Sequence, residues 1–327
     1  MDNKILADEL VKTCLRKGAD AAEVYLETGR ELSLEVRNGE VETVEEAATG
    51  GAGLRVFVRG KMAFAHSNDL SAAALENAAV RAVDFAKSMT SDPSNVLPED
   101  KAETAVEGLF DPEISRIPLE VKIGLAKAVE KEALKDPRVT RSAGASYGEG
   151  EEEVVIANSN GLLKTARAAA CSYGVAVVAE KGEQKSSGGK SCGRRFFADL
   201  KKPEEVAAEA AHKAISMLDP KMVKTQRAAV IFHPDVAGAL LGGIIGAVNG
   251  ERVLQGASFL AKKVGQQIAS DLVTLVDDGL LPKGLSSSPF DGEGVSTQKR
   301  VLVDRGVLKG FLYNTIVARR AGVKSTG

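Results

Sequence analysis

The chain has 327 residues, which is enough for two or three domains and a large core. Hydrophobic residues make up 44% and charged residues 27%, a mixture typical of globular proteins. Lys and Arg (43) nearly balance Asp and Glu (45), so the net charge of −2 creates no field that attracts nucleic acid or an anionic membrane. Aromatic residues are scarce at 4%, with no Trp, which argues against stacking on bases. We therefore expect no direct binding to nucleic acid.

The cysteines and the apolar runs indicate a cytoplasmic protein without membrane association. Cys14, Cys171 and Cys192 are odd in number and far apart, which favours reduced thiols over a disulfide framework. The amphipathic start, MDNKILADELVKTCLRKG, lacks the apolar segment of a signal peptide. The longest apolar run, residues 236–248, has 13 residues, whereas a membrane-spanning helix needs roughly 20.

The first predicted unit, residues 1–92, is an N-terminal α+β domain. It begins with a helix over residues 3–17 and continues with strand-like runs. The pair Asn38-Gly39 predicts a hairpin, and the run RGK at 59–61 predicts a second tight turn. An Ala-rich helix over residues 70–88 closes the unit. Residues 93–117 are rich in Pro, acids and Ser, which is typical of a linker.

Residues 118–222 repeat this plan as a middle α+β domain. A helix follows Pro118, a series of strands comes next, and Pro203 begins another helix with acids in its first turn. The segments VRNGEVETVEEAATGGAGLRVFVRGKMAFAHS and NSNGLLKTARAAACSYGVAVVAEKGEQKSS share a turn, a strand, a small-residue patch and a second hairpin. We interpret the two units as a diverged internal duplication.

The third region, residues 223–327, is predicted to be a β-rich C-terminal domain that contains a glycine-striped helix. A strand is expected at AAVIF, residues 228–232, followed by a helix along HPDVAGALLGGIIGAVNG and by two strand-like runs joined at DRG. The expected fold class is therefore α+β, with two related helix-plus-antiparallel-sheet units before this domain.

Glycines recur at every fourth residue of this predicted helix, although glycine destabilises helices. Each interior glycine costs a helix about 1 kcal/mol relative to alanine. The spacing of four between stripe residues predicts close helix packing, within the domain or against a partner. The stripe consists of Gly238, Gly242, Gly246 and Gly250.

Few residue patterns support chemistry on this chain. The three histidines, His66, His212 and His233, include no pair three or four residues apart, so no helix presents two of them to zinc. The run SSSP at 286–289 has no paired histidine signature, and no phosphate-binding glycine motif is present. Serine hydrolysis and nucleotide binding are therefore not expected.

Four carboxylates in two glycine-rich turns remain, Asp277, Asp278, Asp291 and Glu293. They could form a cleft rim that orients a substrate backbone or binds Mg²⁺ or Ca²⁺. Alternatively they serve the turns themselves, because short acids accept hydrogen bonds from nearby backbone N–H groups. The spacing does not match an EF-hand loop.

The last third resembles the TldD/PmbA family, also called modulators of DNA gyrase. The similarity lies in ASFLAKKVGQQIAS, LVTLVDDGLLPKGLSSSPFDGEGV and RGVLKGFLYNTIVARRAGVKSTG, and EVYLETGRELSLEVRNGEVETVEEAATGGAGLRVFVRGKMAFAHSNDL resembles the family's opening domain. The family contains TldD-type subunits, which carry a zinc-binding HExxxH helix and act as metalloproteases, and PmbA or TldE-type subunits, which lack that motif and pair with the first type.

Alignment with the family places GGIIGA where HExxxH would stand. Gly242, Gly243 and Ala247 then occupy the positions of the two histidines and the glutamate. The resemblance therefore implies that this chain holds no zinc, has no general base to activate a bound water, and is inactive alone. It also implies that relatives continue for roughly another hundred residues, so the chain is expected to be a fragment or a short member.

Three functions stay open from the sequence. The first is a non-catalytic subunit of a cytoplasmic metalloprotease, which shapes a cleft for unfolded or modified peptides. Its expected partner is a TldD-type subunit that carries zinc, or a second copy in a dimer. The second is a protein that binds gyrase or a toxin–antitoxin pair without a protease role. The third is a hydrolase with a carboxylate-bound metal.

Overall fold

The computed structural model describes residues 2–327. Over this range the chain forms seven α-helices and nine β-strands, and none of these helices is long and apolar enough to cross a membrane. In chain order the elements are α1 (Asn3–Arg16), β1 (Ala21–Arg37), β2 (Glu40–Val58), β3 (Lys61–Ser67), α2 (Ala72–Ser88), α3 (Leu119–Ala133), β4 (Val139–Asn158), β5 (Leu163–Lys181), β6 (Gln184–Arg194), α4 (Pro203–Ser216), α5 (Pro234–Ala247), α6 (Gly250–Leu254), β7 (Leu275–Asp278), β8 (Lys299–Asp304), β9 (Val307–Leu308) and α7 (Thr315–Ala321). The expected α+β class with antiparallel sheets is confirmed.

The two sequence units share one six-stranded sheet, ordered β3-β2-β1-β4-β5-β6. Strands β1 and β4 join the two halves through antiparallel pairing that extends from Glu23 and Asn158 to Val36 and Ala145. The predicted hairpin at Asn38-Gly39 is confirmed, with φ values of 55° and 77°. The second predicted turn also forms, with φ of 51° at residue 59 and 72° at residue 60. Two successive positive φ values match the right-handed strand twist, which favours such turns.

Four helices cover a single face of this sheet. Helices α1 and α2 pack on the β1–β2 half, and α3 and α4 pack on the β4–β5–β6 half. Tyr147 and Val155 of β4 belong to the two different cores and lie an even number of residues apart, so both side chains point to the same face. One core includes Leu10, Val11, Val24, Leu54 and Leu75, and the other includes Leu34, Val129, Tyr147, Val175 and Val206.

The packing of α4 on the edge strand β6 requires a glycine. A Cβ built at Gly188 would lie 2.6 Å from the carbonyl oxygen of Ala210, and closer still to the backbone nitrogen of Ala214. A Cβ at Gly189, on the opposite face of the strand, would lie 3.5 Å from its nearest neighbour, the carbonyl oxygen of Val175. The absence of a side chain at Gly188 therefore allows the backbone of α4 to lie close to β6. Gly189 faces away from α4 and has no such role.

Gly188→Ala is expected to lower the free energy of unfolding by about 1–3 kcal/mol, because the helix backbone must move away from the sheet. Gly189→Ala is the matched control, with an expected change within about 0.5 kcal/mol. Urea unfolding followed by far-ultraviolet circular dichroism measures both changes. Equal losses in the two variants would contradict the close approach of α4.

The segment 93–117, predicted as a linker, contains a 3-10 turn at Ile114–Arg116 and no other helix or strand. It nevertheless contacts both the sheet and the third region. Asp100 accepts a hydrogen bond from the backbone N–H of Ser296 (2.6 Å) and one from Lys164 Nζ (3.2 Å). The backbone N–H of Ala169 on β5 donates to the carbonyl of Leu109 (2.9 Å). The segment thus ties β5 to the third region.

The third region contains a three-stranded antiparallel sheet, β7-β8-β9, together with α5, α6 and α7. The predicted turn at DRG is confirmed, with positive φ at Arg305 and Gly306 between β8 and β9. The predicted strand over residues 228–232 is wrong, because these residues have no strand partner and Ile231 is 98% exposed. An apolar run forms a strand only where a neighbour pairs its backbone groups, and nothing within residues 2–327 does so there.

Candidate functional site

The glycine-striped helix is α5, and most of its surface is exposed. His233 caps it, with Nδ1 accepting a hydrogen bond from the backbone N–H of Asp235 (3.3 Å). Leu240 and Ile245 are about half exposed, at 53% and 51%. For Gly238, Gly242 and Gly243, a built Cβ would have no heavy atom of residues 2–327 within 4 Å, apart from the adjacent residues and the backbone of its own helix. These glycines leave a bare apolar helix face that no described part of the chain covers.

The stripe does not continue as one helix to Gly250. Helix α5 ends at Ala247, and α6 begins at Gly250 after the capping residue Asn249. The side chain of Asn249 accepts hydrogen bonds from the N–H groups of Glu251 (3.0 Å) and Arg252 (3.2 Å), which starts a new helix at this point.

Gly250 has a local packing role. The residue N-terminal to it, Asn249, forms a parallel bridge with Leu312, and a Cβ at Gly250 would overlap the ring of Tyr313. The carbonyl oxygen of Leu312 would be only 2.7 Å from that Cβ. The stripe is thus divided into two exposed positions, Gly238 and Gly242, a half-buried one at Gly246, where a Cβ would lie 3.2 Å from Arg252 Nη1, and the closely packed Gly250.

The four predicted carboxylates do not act as one cluster. Asp277 and Asp291 line a cavity of about 240 Å³ beside the start of α6. Asp278 instead pairs with Lys299 at 2.9 Å, and that hydrogen bond lowers its pKa. Glu293 is buried in another ion pair. Other polar residues that line the cavity are Asn249, Glu251, Tyr313, Asn314 and Thr326.

Asp291 also serves its own turn. Its Oδ1 accepts hydrogen bonds from the backbone N–H groups of Glu293 and Val295, both at 2.9 Å. Asp278 similarly accepts from the N–H of Leu280 (3.2 Å). Asp278 and Asp291 therefore both accept hydrogen bonds from the backbone of their own turns, as the second interpretation of these acids expects. Burial raises the pKa of Asp291, although the two backbone hydrogen bonds oppose this shift.

Asp291 lies between two cavities. On the sheet side it lines a cavity of about 210 Å³, together with Tyr25, Glu152 and Ala168 from the uncovered face of the sheet and Phe290 from its own loop. On the other side it lines the cavity beside α6. The loop of residues 289–294, called the Asp291 loop here, therefore separates the two cavities.

A buried charge cluster anchors the Asp291 loop. The guanidinium of Arg55 on β2 lies 2.7 Å from Glu23 of β1 through Nη2, and 2.7 Å from Glu293 through Nη1. The side chains are 10%, 7% and 13% exposed, respectively. The second carboxylate oxygen of Glu293 accepts from the backbone N–H of Thr315 at the start of α7 (2.7 Å). The cluster therefore joins the sheet, the loop and α7.

The carboxylates of this cluster have opposite pKa shifts. Burial raises the pKa of Glu23 to about 7, with Arg55 opposing and the nearby Glu293 and Asp291 adding to the shift. Glu293 is also buried, but hydrogen bonds from Arg55 and Thr315 outweigh this and lower its pKa. Arg55 thus stabilises the ionised form of Glu293, whereas its attraction only partly offsets the effect of burial on the ionised form of Glu23.

Sequence reasoning missed the partners of these residues. Alternation along AEVYLETG places Glu23, Tyr25 and Glu27 on one face, opposite the buried Val24 and Leu26, and this signal could have identified the uncovered sheet face. It could not have identified Glu293 as the partner of Arg55, because 238 residues separate them.

The residues present do not fit a zinc ion. Gly242, Gly243 and Ala247 provide no ligand atom in their side chains, and Ala247 is buried in the core of the third region. Across residues 2–327, no group of three or more His, Cys, Asp or Glu side chains is arranged to hold a metal ion.

Comparison with protein-family models matches almost the whole chain. Residues 22–86 match PmbA/TldA metallopeptidase domain 1, residues 112–218 match the central domain, and residues 225–327 match the C-terminal domain. Metalloprotease PmbA of Escherichia coli O157:H7 is 34% identical over 333 residues, which cover 99% of this chain and 73% of that protein. A metalloprotease PmbA homolog of Haemophilus influenzae is 30% identical, with coverage of 95% and 69%.

Solved structures show the same fold. A Bacteroides thetaiotaomicron protein described as a modulator of DNA gyrase superposes with a TM-score of 0.91 at 30% identity, covering 100% of this chain and 76% of that one. TldE from Thermococcus kodakarensis superposes with a TM-score of 0.85 at 24% identity, covering 98% and 72%. The second comparison bears on the fold alone.

Proposed function

The chain belongs to the PmbA/TldD metallopeptidase family, and on this premise we propose that it is a non-catalytic subunit of a protease of that type. It shapes a peptide-binding cleft and packs against a TldD-type partner that carries zinc. One observation carries the proposal. Alignment on the family resemblance places Gly242, Gly243 and Ala247 where the zinc motif of such a partner would lie, and the side chains of these residues can neither bind a metal nor act as a general base.

The two cavities on either side of the Asp291 loop support a role in the cleft. The uncovered sheet face, at Tyr25 and Glu152, lines one of them, Asp277 lines the other, and Asp291 lines both. The sheet face is also rich in small residues such as Gly53 and Ala168, which leave room for an extended backbone. A peptide bound mainly through its backbone would be accepted with many sequences.

The exposed face of α5 supports packing against a partner. Val236 and Leu240 on one side of the helix, and Ile245 on the other, are each about half exposed. Gly238 and Gly242 lie on the same side as Ile245, where they allow another helix to approach closely. Apolar helix faces of this kind are normally covered in the assembled protein. The three cysteines are free and buried, which supports a reducing compartment such as the cytoplasm.

We expect the chain purified alone to contain less than about 0.1 zinc per chain and to hydrolyse no peptide, because residues 2–327 contain no group of three side chains that could hold a metal ion. Co-expression with a TldD-type subunit that has HExxxH should give a complex with one zinc and with peptidase activity. Zinc is measured by mass spectrometry and hydrolysis with fluorescein-labelled casein. The control is the same complex with the partner's HExxxH glutamate changed to glutamine, which should assemble without activity. Stoichiometric zinc and hydrolysis by the chain alone would refute the non-catalytic role.

A further inference from the structure

The position of the Asp291 loop depends on few attachments. The N–H of Asp291 donates to the carbonyl of Val295, the residue that follows the loop (2.8 Å), and the N–H of Gly294 donates to the carbonyl of Asp291 (3.0 Å). These local bonds set the shape of the loop but not its location. Phe290 packs against Ile156 and other apolar residues of the sheet face. The side chain of Glu293 provides the charged attachment to the sheet.

The buried ion cluster around Arg55 is an inefficient way to stabilise the fold, because burying its charges has a large desolvation cost. Two carboxylates share one guanidinium, and three buried atoms of the cluster, Glu23 Oε2, Arg55 Nε and Arg55 Nη2, have no hydrogen-bond partner in residues 2–327. Nη2 therefore meets Glu23 as an ion pair without the alignment of a hydrogen bond. Buried ion pairs of this kind often contribute less to stability than apolar residues of similar size. An apolar contact at the same place would hold the loop with less desolvation, but it would not define an orientation.

The geometry of Arg55 does define an orientation. Its planar guanidinium donates an aligned hydrogen bond to Glu293 through Nη1 and forms an ion pair with Glu23 through Nη2, each at 2.7 Å. Glu23 and Arg55 lie directly opposite each other on the paired strands β1 and β2. The contact with Glu23 therefore fixes the guanidinium against the sheet, independently of the loop. Glu293 is then fixed by Arg55 on one side and by the N–H of Thr315 on the other.

We propose that Arg55 is a positioning residue for peptide binding, which acts through Glu293 to hold the Asp291 loop between the two cavities. This inference rests on the proposed function of the cleft. It predicts that Arg55→Lys loosens the loop, because an ammonium is a point charge that cannot contact both carboxylates with the fork of a guanidinium. The variant retains the positive charge, so the buried cluster does not lose its cation.

The first test measures the loop in the protein alone by native-state amide hydrogen exchange. In Arg55→Lys, exchange should accelerate at least tenfold at Glu293, Val295 and Thr315, whose N–H groups are bonded within this network. Exchange in β8 should not change. Gly188→Ala is the control for general destabilisation, because it lies on β6 and should not affect the loop selectively. Unchanged exchange at the loop in Arg55→Lys would overturn the proposal.

The second test measures binding in the complex with the TldD-type partner. With fluorescein-labelled casein, Arg55→Lys should raise KM about tenfold and change kcat less than twofold, whereas Gly188→Ala should leave KM unchanged. Equal KM increases in the two variants would reduce Arg55 to a structural role and overturn the proposal. An inactive wild-type complex would refute the proposed function instead, and the exchange result would still decide whether Arg55 holds the loop.

Discussion

Replacing Lys122 with methionine is expected to lower the free energy of unfolding by about 3–5 kcal/mol, because it removes one partner of a buried ion pair. Lys122 on α3 places Nζ 2.6 Å from Glu149 of β4, and the two side chains are 3% and 5% exposed. The hydroxyl of Tyr147 donates to the other carboxylate oxygen of Glu149 (2.6 Å). Without Lys122, this carboxylate remains buried in an apolar core with only a neutral donor.

Urea unfolding followed by circular dichroism measures this loss. Lys12→Met is the matched control, because Lys12 also pairs with carboxylates but is 52% exposed on α1, and the midpoint should not change. In the double variant Lys122→Met/Glu149→Gln most of the loss should be recovered, since no charge then remains buried. If Lys122→Met and Lys12→Met have the same midpoint, the buried pair contributes nothing to stability.

Local features of the fold were predictable because a few adjacent residues determine them. Asn38-Gly39 specifies a tight turn through two positive φ values, and the turn at Arg305-Gly306 follows the same rule. The end of α5 was less predictable. Its apolar spacing continues to Val248, but the side chain of Asn249 competes for the next N–H groups and starts a second helix.

Long-range pairing was not predictable from one sequence. Glu23 lies opposite Asn158 where β1 pairs with β4, and this pairing merges the two predicted units into one sheet. The AAVIF run has strand composition, but no segment within residues 2–327 pairs with it. Strand formation depends on a neighbour that local composition does not reveal.

The candidate site was predictable only as separate turns. The sequence identified Asp277, Asp278, Asp291 and Glu293 as acids in glycine-rich loops, and the structure gives them three different environments. What distinguishes them is the cation each one meets, Lys299 for Asp278 and Arg55 for Glu293. Arg55 lies 238 residues away from Glu293, so spacing alone could not separate the buried anchor from the cavity-lining acids.

The stability of the protein is expected to fall by about 3 kcal/mol between pH 4.5 and pH 7 through the ionisation of Glu23. Burial raises the pKa of Glu23 from its ordinary value of 4.5 to about 7 in the folded protein. Between these two values the folded chain retains the proton that the unfolded chain has lost. Raising the pH therefore favours unfolding across this window, and the effect is complete above pH 7.

Urea unfolding of the wild-type protein and of Glu23→Gln at several pH values isolates this contribution. Glutamine preserves the size of the side chain and an acceptor for Arg55, so Glu23→Gln should match the wild type near pH 4.5 and exceed its stability by roughly 1–3 kcal/mol at pH 8. Carboxyls with lowered pKa values, such as Glu293, change stability in the opposite direction and titrate in both proteins, so they cannot produce the difference. Parallel pH profiles for the two proteins would show that Glu23 is already ionised at pH 4.5 in the fold, and that Arg55 compensates both of its carboxylates fully.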